Sequence, residues 1–316
     1  VLKNLYKILL CAIALLIVLW LMQWFVGFGT RHNLNLKSAY VSSHRLNAQL
    51  LVLGPCEPLW MVAPEIISKR TGLSCYNLAN SHSDFADNYL HLYLYLKNNS
   101  VPQYLLLFVT PESFDLRYNT FYSYRFSAFL QYKVVDSAVS ECDPDFARWT
   151  WFLFLRYGYY SHQTLFPALQ GWKQYLSGRQ LPYYPDGFEP PARMVWDNHY
   201  TNLVKLYPKG YSFSWDEMRE KYFRKILALC GEKHIRVILY ESPVLQEIRD
   251  YQYNRQLYLD KIKSMADESK VPFLRFDELE KIMGKNNFIS PMVTTLGGSY
   301  FFSDTLGKSL KGIIAQ

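Results

Sequence analysis

The sequence predicts an α/β protein built on a parallel sheet, joined to an N-terminal membrane anchor and interrupted by an aromatic, mainly helical insertion. Three observations predict this. Short apolar runs alternate with helical patterns in both halves of the chain. An apolar stretch of membrane-spanning length opens it, and a segment of different character separates the halves at about 117–213. The expected divisions are an anchor over 1–30, a linker over 31–46 and an α/β domain over 47–316 that contains the insertion.

The anchor is read from Ile8 to Phe28, apolar apart from Gln23 and glycine, which matches the ~20 residues a helix needs to cross a bilayer. Trp20 and Trp24 lie near its second end, where amphipathic rings favour the interface. Its apolar core is too long for a cleaved signal peptide, and Gly27-Phe28-Gly29 is a poor exit sequence, so the expectation is an uncleaved anchor. Lys3 and Lys7 precede it while Arg31, Lys37 and Arg45 come after. The short leading tail favours an orientation that leaves the α/β domain outside the cytoplasm.

The elements then succeed one another in order. Gln49–Leu53 reads as a strand and Pro58–Arg70 as a helix that Gly72 stops. Ser74–Leu78 is a second strand. Asp84 caps a helix in which Tyr89, Leu92, Tyr93 and Leu96 recur at helical spacing. Tyr104–Val109 is a continuous apolar run, as expected of a strand covered on both faces. After the insertion, Ser214 and Glu217 read as a capping box, and Ile235–Tyr240 as a buried strand. A long helix is expected from Tyr251 to Ser269 and a last short strand over Pro272–Phe276, with Asp277 capping a short helix after it. This βαβ rhythm implies a parallel sheet. In the insertion, the aromatic run 146–157 and the turn-rich loop 182–191 are expected to pack onto the sheet, or else to dock on the membrane or an integral partner.

Composition narrows the function. The net charge of +7 is modest for 316 residues, and Lys and Arg are scattered, which argues against nucleic acid and fits proximity to an anionic bilayer. The five cysteines (Cys11, Cys56, Cys75, Cys142 and Cys230) form neither a CxxC pair nor a zinc-ligand spacing. No glycine-rich phosphate cradle comes after the first strand, so neither a nucleotide nor another cofactor is expected.

Ligands of a parallel sheet bind at the carboxyl ends of its strands. Those ends are Gly54-Pro55-Cys56, Asn80-Ser81-His82, Thr110-Pro111-Glu112-Ser113 and Glu241-Ser242, with Asp304 further on. A nucleophile with oxyanion donors and an acid drawn from separate strand ends is the layout of a hydrolase or acyltransferase. Cys56 is the candidate nucleophile and His82 a substitute base. Gly54, Asn80 and Ser81 are candidates for the oxyanion and substrate contacts.

In this order the segments resemble the SGNH (GDSL-like) hydrolase superfamily. The likeness is to its membrane-anchored branch that works beside membrane-bound O-acyltransferases, such as the D-alanyl-lipoteichoic acid transfer and alginate O-acetylation proteins. Gly54-Pro55-Cys56 corresponds to Gly-x-Ser, and Asn77-Leu78-Ala79 to the Asn-Leu-Gly-like block. The stretch 302–312 corresponds to Asp-x-x-His-Leu-Asn-x-x-Gly, keeping Asp304 and Gly312 but with Gly307 for the His and Ser309 for the Asn. The resemblance implies a flavodoxin-like three-layer α/β/α domain in a bacterial inner-membrane protein. It implies an integral acyltransferase and an exported polysaccharide as partners, and puts Cys56 and Asp304 on one cleft. A thiol depends less on a base than a hydroxyl does, so Cys56 can accept an acyl group without the missing His. The alternative is a catalytically silent scaffold or glycan-binding subunit.

Overall fold

The computed structural model describes residues 2–116, 121–146, 161–191 and 199–315. The chain forms two compact units, one from 1–44 with 121–183 and the other from 45–120 with 184–316. The anchor therefore shares a unit with most of the insertion, a division different from the expected one.

In the first unit the helix Leu2–Arg31 contains one stretch, Asn4–Arg31, that is long and apolar enough to cross a membrane. Part of the expected linker forms the helix Lys37–Ser43, with Ser38, Ala39 and Val41 buried. Most of the aromatic run, from Ala147 to Tyr157, lies outside the described residues. The insertion helix Ser161–Leu176 packs on the end of the anchor helix. Trp172 stacks on Phe28 with ring centroids 4.4 Å apart and on Phe25 at 5.3 Å, and its Nε1–H donates to the Phe25 carbonyl at 2.9 Å. A methyl group on Gly171 would overlap the carbonyl of Gly29, so the two backbones meet only because both positions lack a side chain.

The second unit holds a five-stranded sheet in the order β2-β1-β3-β4-β5, every pair parallel. The strands are β1 Leu50–Leu53, β2 Cys75–Asn77, β3 Tyr104–Phe108, β4 Arg236–Glu241 and β5 Phe273–Arg275. All residues of β1 and β3 are buried, so both faces of these strands are covered. On one face Leu50, Val52, Leu106, Phe108, Ile238 and Tyr240 pack with Ile67 and with Phe302, Leu306 and Leu310 of the last helix. Side chains alternate along a strand, so Leu51, Leu53, Leu105 and Leu107 point to the other face. The helices Phe85–Asn98 and Glu217–Glu232 pack together, with Phe85, Phe114 and Phe223 in ring contact.

Several boundaries differ from expectation for identifiable reasons. The helix expected over Pro58–Arg70 is two helices, Cys56–Met61 and Pro64–Thr71. Pro64 has no N–H and holds Ala63 extended, which breaks the first before the second starts. Gly72 does stop the second, with φ +76. Asp84 caps its helix by accepting from the Asp87 N–H at 2.9 Å. The cap of Glu217–Glu232 is Asp216, not Ser214, whose N–H donates instead to Asp115. The helix expected from Tyr251 to Ser269 starts later, at Arg255, and runs to Glu268. Asn254 before it bonds the Phe213 N–H and carbonyl through its side chain, and a separate helix, Gln246–Tyr251, precedes it. Asp277 accepts from Arg275 rather than capping the helix Glu280–Met283, whose N-cap is Leu279.

The end of the insertion belongs to this unit. The carbonyl of Asp186 accepts the Asn77 N–H at 2.9 Å, and Gly187, at φ +82, lies where a side chain would strike the Asn77 carbonyl. The Asn77 side chain is fully buried. Its amide donates to the Pro58 and Val62 carbonyls at 2.7 and 2.9 Å, and its oxygen accepts the Ala79 N–H at 3.0 Å. Asn77→Ala removes the side-chain partner of the Val62 carbonyl and the Ala79 N–H and one of the two bonds to the Pro58 carbonyl in the interior, which costs about 2–4 kcal/mol. A urea titration of the full chain should show the midpoint falling accordingly, and an unchanged midpoint would refute this role.

Candidate functional site

A parallel sheet in the order 2-1-3-4-5 reverses its direction of construction between β1 and β3, and the crevice outside their carboxyl ends is the position for a ligand. A cavity of about 340 Å³ opens there. Its wall includes Cys56 from the end of β1, His82 and Asp84 from the loop after β2, and Glu112 from the end of β3, together with Arg219. Trp60, Phe85 and Phe108 supply apolar surface, and Ser290, Met292 and Val293 come from the segment before the last helix.

The geometry starts at Gly54. Its φ is +151, and a side chain there would press on Pro58 Cγ at 2.6 Å and Phe108 Cβ at 2.7 Å. Its carbonyl accepts from the Asn80 N–H at 3.0 Å and from Ser83 Oγ at 2.7 Å. The Asn80 amide, expected as an oxyanion donor, is therefore committed to holding the turn, and Gly54 shapes the site without lining it. Cys56 begins the helix after this turn. Its Sγ accepts the His82 N–H at 3.3 Å and lies 3.2 Å from Ser81 Oγ. His82 adopts φ +51, an uncommon backbone for a residue with a side chain, and it lines the cavity beside Cys56. Of the expected site residues, Cys56, Ser81 and His82 thus come together.

Asp304 does not join them. The last helix runs Leu296–Ile314 with Thr295 as its N-cap, so Asp304 sits in its middle and neither caps it nor lines the cavity. Its carboxylate accepts from Lys308 Nζ at 2.8 Å and from Arg70 Nε, and these bonds hold it below the usual carboxylate range. Gly307 is not a vacated catalytic position either. A side chain there would meet Arg70 Cβ at 2.8 Å, because this glycine marks the crossing of the last helix with Pro64–Thr71. The segment that enters the cavity ahead of the last helix supplies Ser290, Met292 and Val293, neither carboxylate nor imidazole.

Sequence reasoning missed the charged lining. Glu57 is half-buried, and burial, with the charge of Glu112 nearby, pushes its carboxyl up to about 7. Burial also raises Asp84 to about 6, against the opposing pull of its hydrogen bond from Asp87 and of Arg219. Arg219 is only 6% exposed and is held by the Ser113 carbonyl at 3.2 Å and Asp216 at 3.3 Å. One oxygen of Glu112 accepts from Gln252 Nε2. The other is buried and has no partner among the described residues. Gln252 in turn accepts from Arg255 Nη1 at 3.0 Å, and Arg255 pairs with Glu241, which burial pushes up to about 8. The carboxyl of Glu112 is thereby fixed through a chain of bonds to the ends of β3 and β4. Its position at a strand end was the one available signal; nothing local marked Arg219.

The thiols of half-buried Cys75 and buried Cys230 are poorly suited to react: desolvation raises Cys75 far above its usual value and Cys230 to about 12. Among the described residues no group of three or more His, Cys, Asp or Glu is placed to hold a metal ion. The chain matches no family model and no curated protein.

These positions have two measurable consequences. Glu57 titrates at about 7 in the folded chain against an ordinary 4.5, so its contribution to stability is intact below about pH 4.5 and is lost as the pH rises through 7. Urea titrations of wild type and Glu57→Gln should therefore diverge between pH 4.5 and 8, the variant gaining about 2 kcal/mol relative to wild type at the upper end. Parallel curves would contradict a Glu57 that stays protonated in the folded chain up to about pH 7. Asp304→Ala should leave the rate at which a thiol reagent modifies Cys56 within about twofold of wild type, as befits an exposed ion pair. A larger change would tie Asp304 to the site after all.

Proposed function

We propose that the chain is a membrane-anchored, SGNH-like protein of a cell-envelope glycan acyl-transfer pathway, with Cys56 as the group that meets the acyl chain. The observation that carries this is the thiol of Cys56 at the switch point of the sheet, in a cavity it shares with His82 and with an N–H directed at its sulfur. The strand order, the tight turn at Gly54 and the apolar anchor support a flavodoxin-like domain of that class. The C-terminal block of the resemblance no longer contributes, since Asp304 lies on a helix away from the cavity. In this reading the domain lies outside the cytoplasm of a bacterial inner membrane. Its partners are an integral O-acyltransferase and an exported polysaccharide.

The chemistry is acyl transfer through a thioester intermediate. The thiol gives its proton to the His82 imidazole and attacks the carbonyl of an activated acyl donor. A carbon–sulfur bond forms, and the donor's leaving group departs with a proton. A sugar hydroxyl then attacks the thioester, the acyl group moves to oxygen, and the thiol is regenerated.

A second reading has its own support. With Ser290, Met292 and Val293 where a catalytic acid and base would enter, the cavity fits a silent subunit that holds a glycan or a membrane acyltransferase. Intact-mass spectrometry of the full chain after incubation with an activated ester separates the two. Acyl transfer requires a stable adduct on Cys56 that disappears in Cys56→Ala. A chain that stays unmodified at Cys56 sinks the enzymatic reading and leaves the silent one.

A further inference from the structure

The stretch Asn4–Arg31 has 28 residues, so as a helix it is roughly 42 Å long, against a hydrocarbon core of roughly 30 Å. It outruns the bilayer interior by about two turns. Its early residues are exposed as far as Trp24, whereas Val26 beyond it is buried. Burial there comes with the insertion helix Ser161–Leu176, through the Trp172 stack, the Gly29–Gly171 approach and the Asn33 side chain, which donates to the Pro167 carbonyl at 2.9 Å. The insertion helix is thus fastened to the part of the anchor that reaches the headgroups.

Its opposite side exposes several large apolar side chains, with His162, Gln163 and Lys173 exposed among them. Leu165, Phe166, Leu169 and Leu176 are 37, 54, 54 and 76% exposed. Leu165, Leu169 and Leu176 recur at i, i+4 and i+11, one stripe of a helix, with Lys173 beside them. Such a stripe, joined to a lipid-covered anchor and flanked by a basic side chain long enough to reach the headgroups, matches an in-plane interfacial helix.

We propose that the helix Ser161–Leu176 lies in the membrane interface beside the anchor, with Leu165, Phe166, Leu169 and Leu176 inserted at the boundary between headgroups and acyl chains of an anionic bilayer. This rests on the anchor crossing the membrane and is independent of any chemistry at Cys56.

The full chain is reconstituted in phosphatidylcholine–phosphatidylglycerol vesicles doped with a phospholipid carrying a diazirine near the carbonyl end of its acyl chain. After irradiation, adducts are mapped by peptide mass spectrometry. Adducts are expected on 165–176 as well as on the anchor. The variant Phe166→Glu with Leu169→Glu should lose about tenfold of the helix labelling while the anchor labelling stays unchanged. Leu176→Gln, at the last residue of the helix, serves as a milder second variant and should lower the labelling in the same direction. Labelled anchor with unlabelled helix overturns the proposal, as does helix labelling indifferent to both variants. A helix cross-linked to a co-purifying membrane protein in place of lipid overturns it too. An unlabelled anchor would instead refute the membrane span on which it rests.

Discussion

The turn at Gly54 is the constraint on which the candidate site depends. β1 is hydrogen-bonded to β2 on one side and β3 on the other, so its chain must leave the sheet at once and between two packed neighbours. Only a glycine at φ +151 fits between Pro58 and Phe108. The exposed lone pairs of its carbonyl then have to be satisfied in a site away from bulk water, and the loop after β2 does this through Asn80 and Ser83. That clasp fixes the same loop that presents Ser81 and His82 to Cys56. The approach of the His82 N–H to the Cys56 thiol is therefore a consequence of backbone hydrogen bonding around a central strand.

The charges of the cavity obey a different logic. Burial favours the neutral form of every carboxyl it covers, and Glu57 and Asp84 respond by titrating near neutral pH. Arg219 and Arg255 are each held in the interior by several partners, and burial pushes the Glu241 carboxyl beside Arg255 up to about 8. This matters for Cys56. A carboxylate next to a thiol opposes formation of the thiolate, whereas a protonated carboxyl does not. The same burial that destabilises ionised Glu57 therefore weakens the opposition of this neighbour to a thiolate at Cys56.

The central strands were legible because β1, β3 and most of β4 are short apolar runs. Asp84 through its carboxylate and Gly72 through its positive φ announced the ends of their helices. The antiparallel pair Phe288–Ser290 and Val293–Thr294 carries no such run and was not expected. The last helix was harder to read. It contains Gly297, Gly298, Gly307 and Gly312, residues of low helix propensity that invite a loop reading of Asp304-x-x-Gly307. The structure keeps it helical because two of these glycines are packing positions: a side chain at Gly298 would strike the Asn287 carbonyl, and one at Gly307 would strike Arg70. Both obstacles come from residues distant in sequence or across a turn, so no local pattern could reveal them. Arg219 was equally hidden. It lies on an amphipathic helix like many surface arginines, and only the docking of that helix brings it to the cavity.

The insertion is governed by which apolar surfaces remain free. An excursion after β3 that packed its aromatics on the sheet would have to displace helices already covering both faces of β1 and β3, where no exposed apolar surface remains. The anchor, in contrast, carries a last segment with no partner of its own in sequence. The described part of the insertion meets it through stacked rings and through a backbone approach at Gly29 and Gly171 that any side chain would block. Close packing of this kind suits an environment where apolar surface gains little from mere contact with another apolar surface, and shape must supply the specificity. The aromatic residues of the insertion thus divide in its described part: Trp172 fastens the anchor, whereas Tyr211 and Phe213 near its end are buried with Tyr258 in the α/β unit.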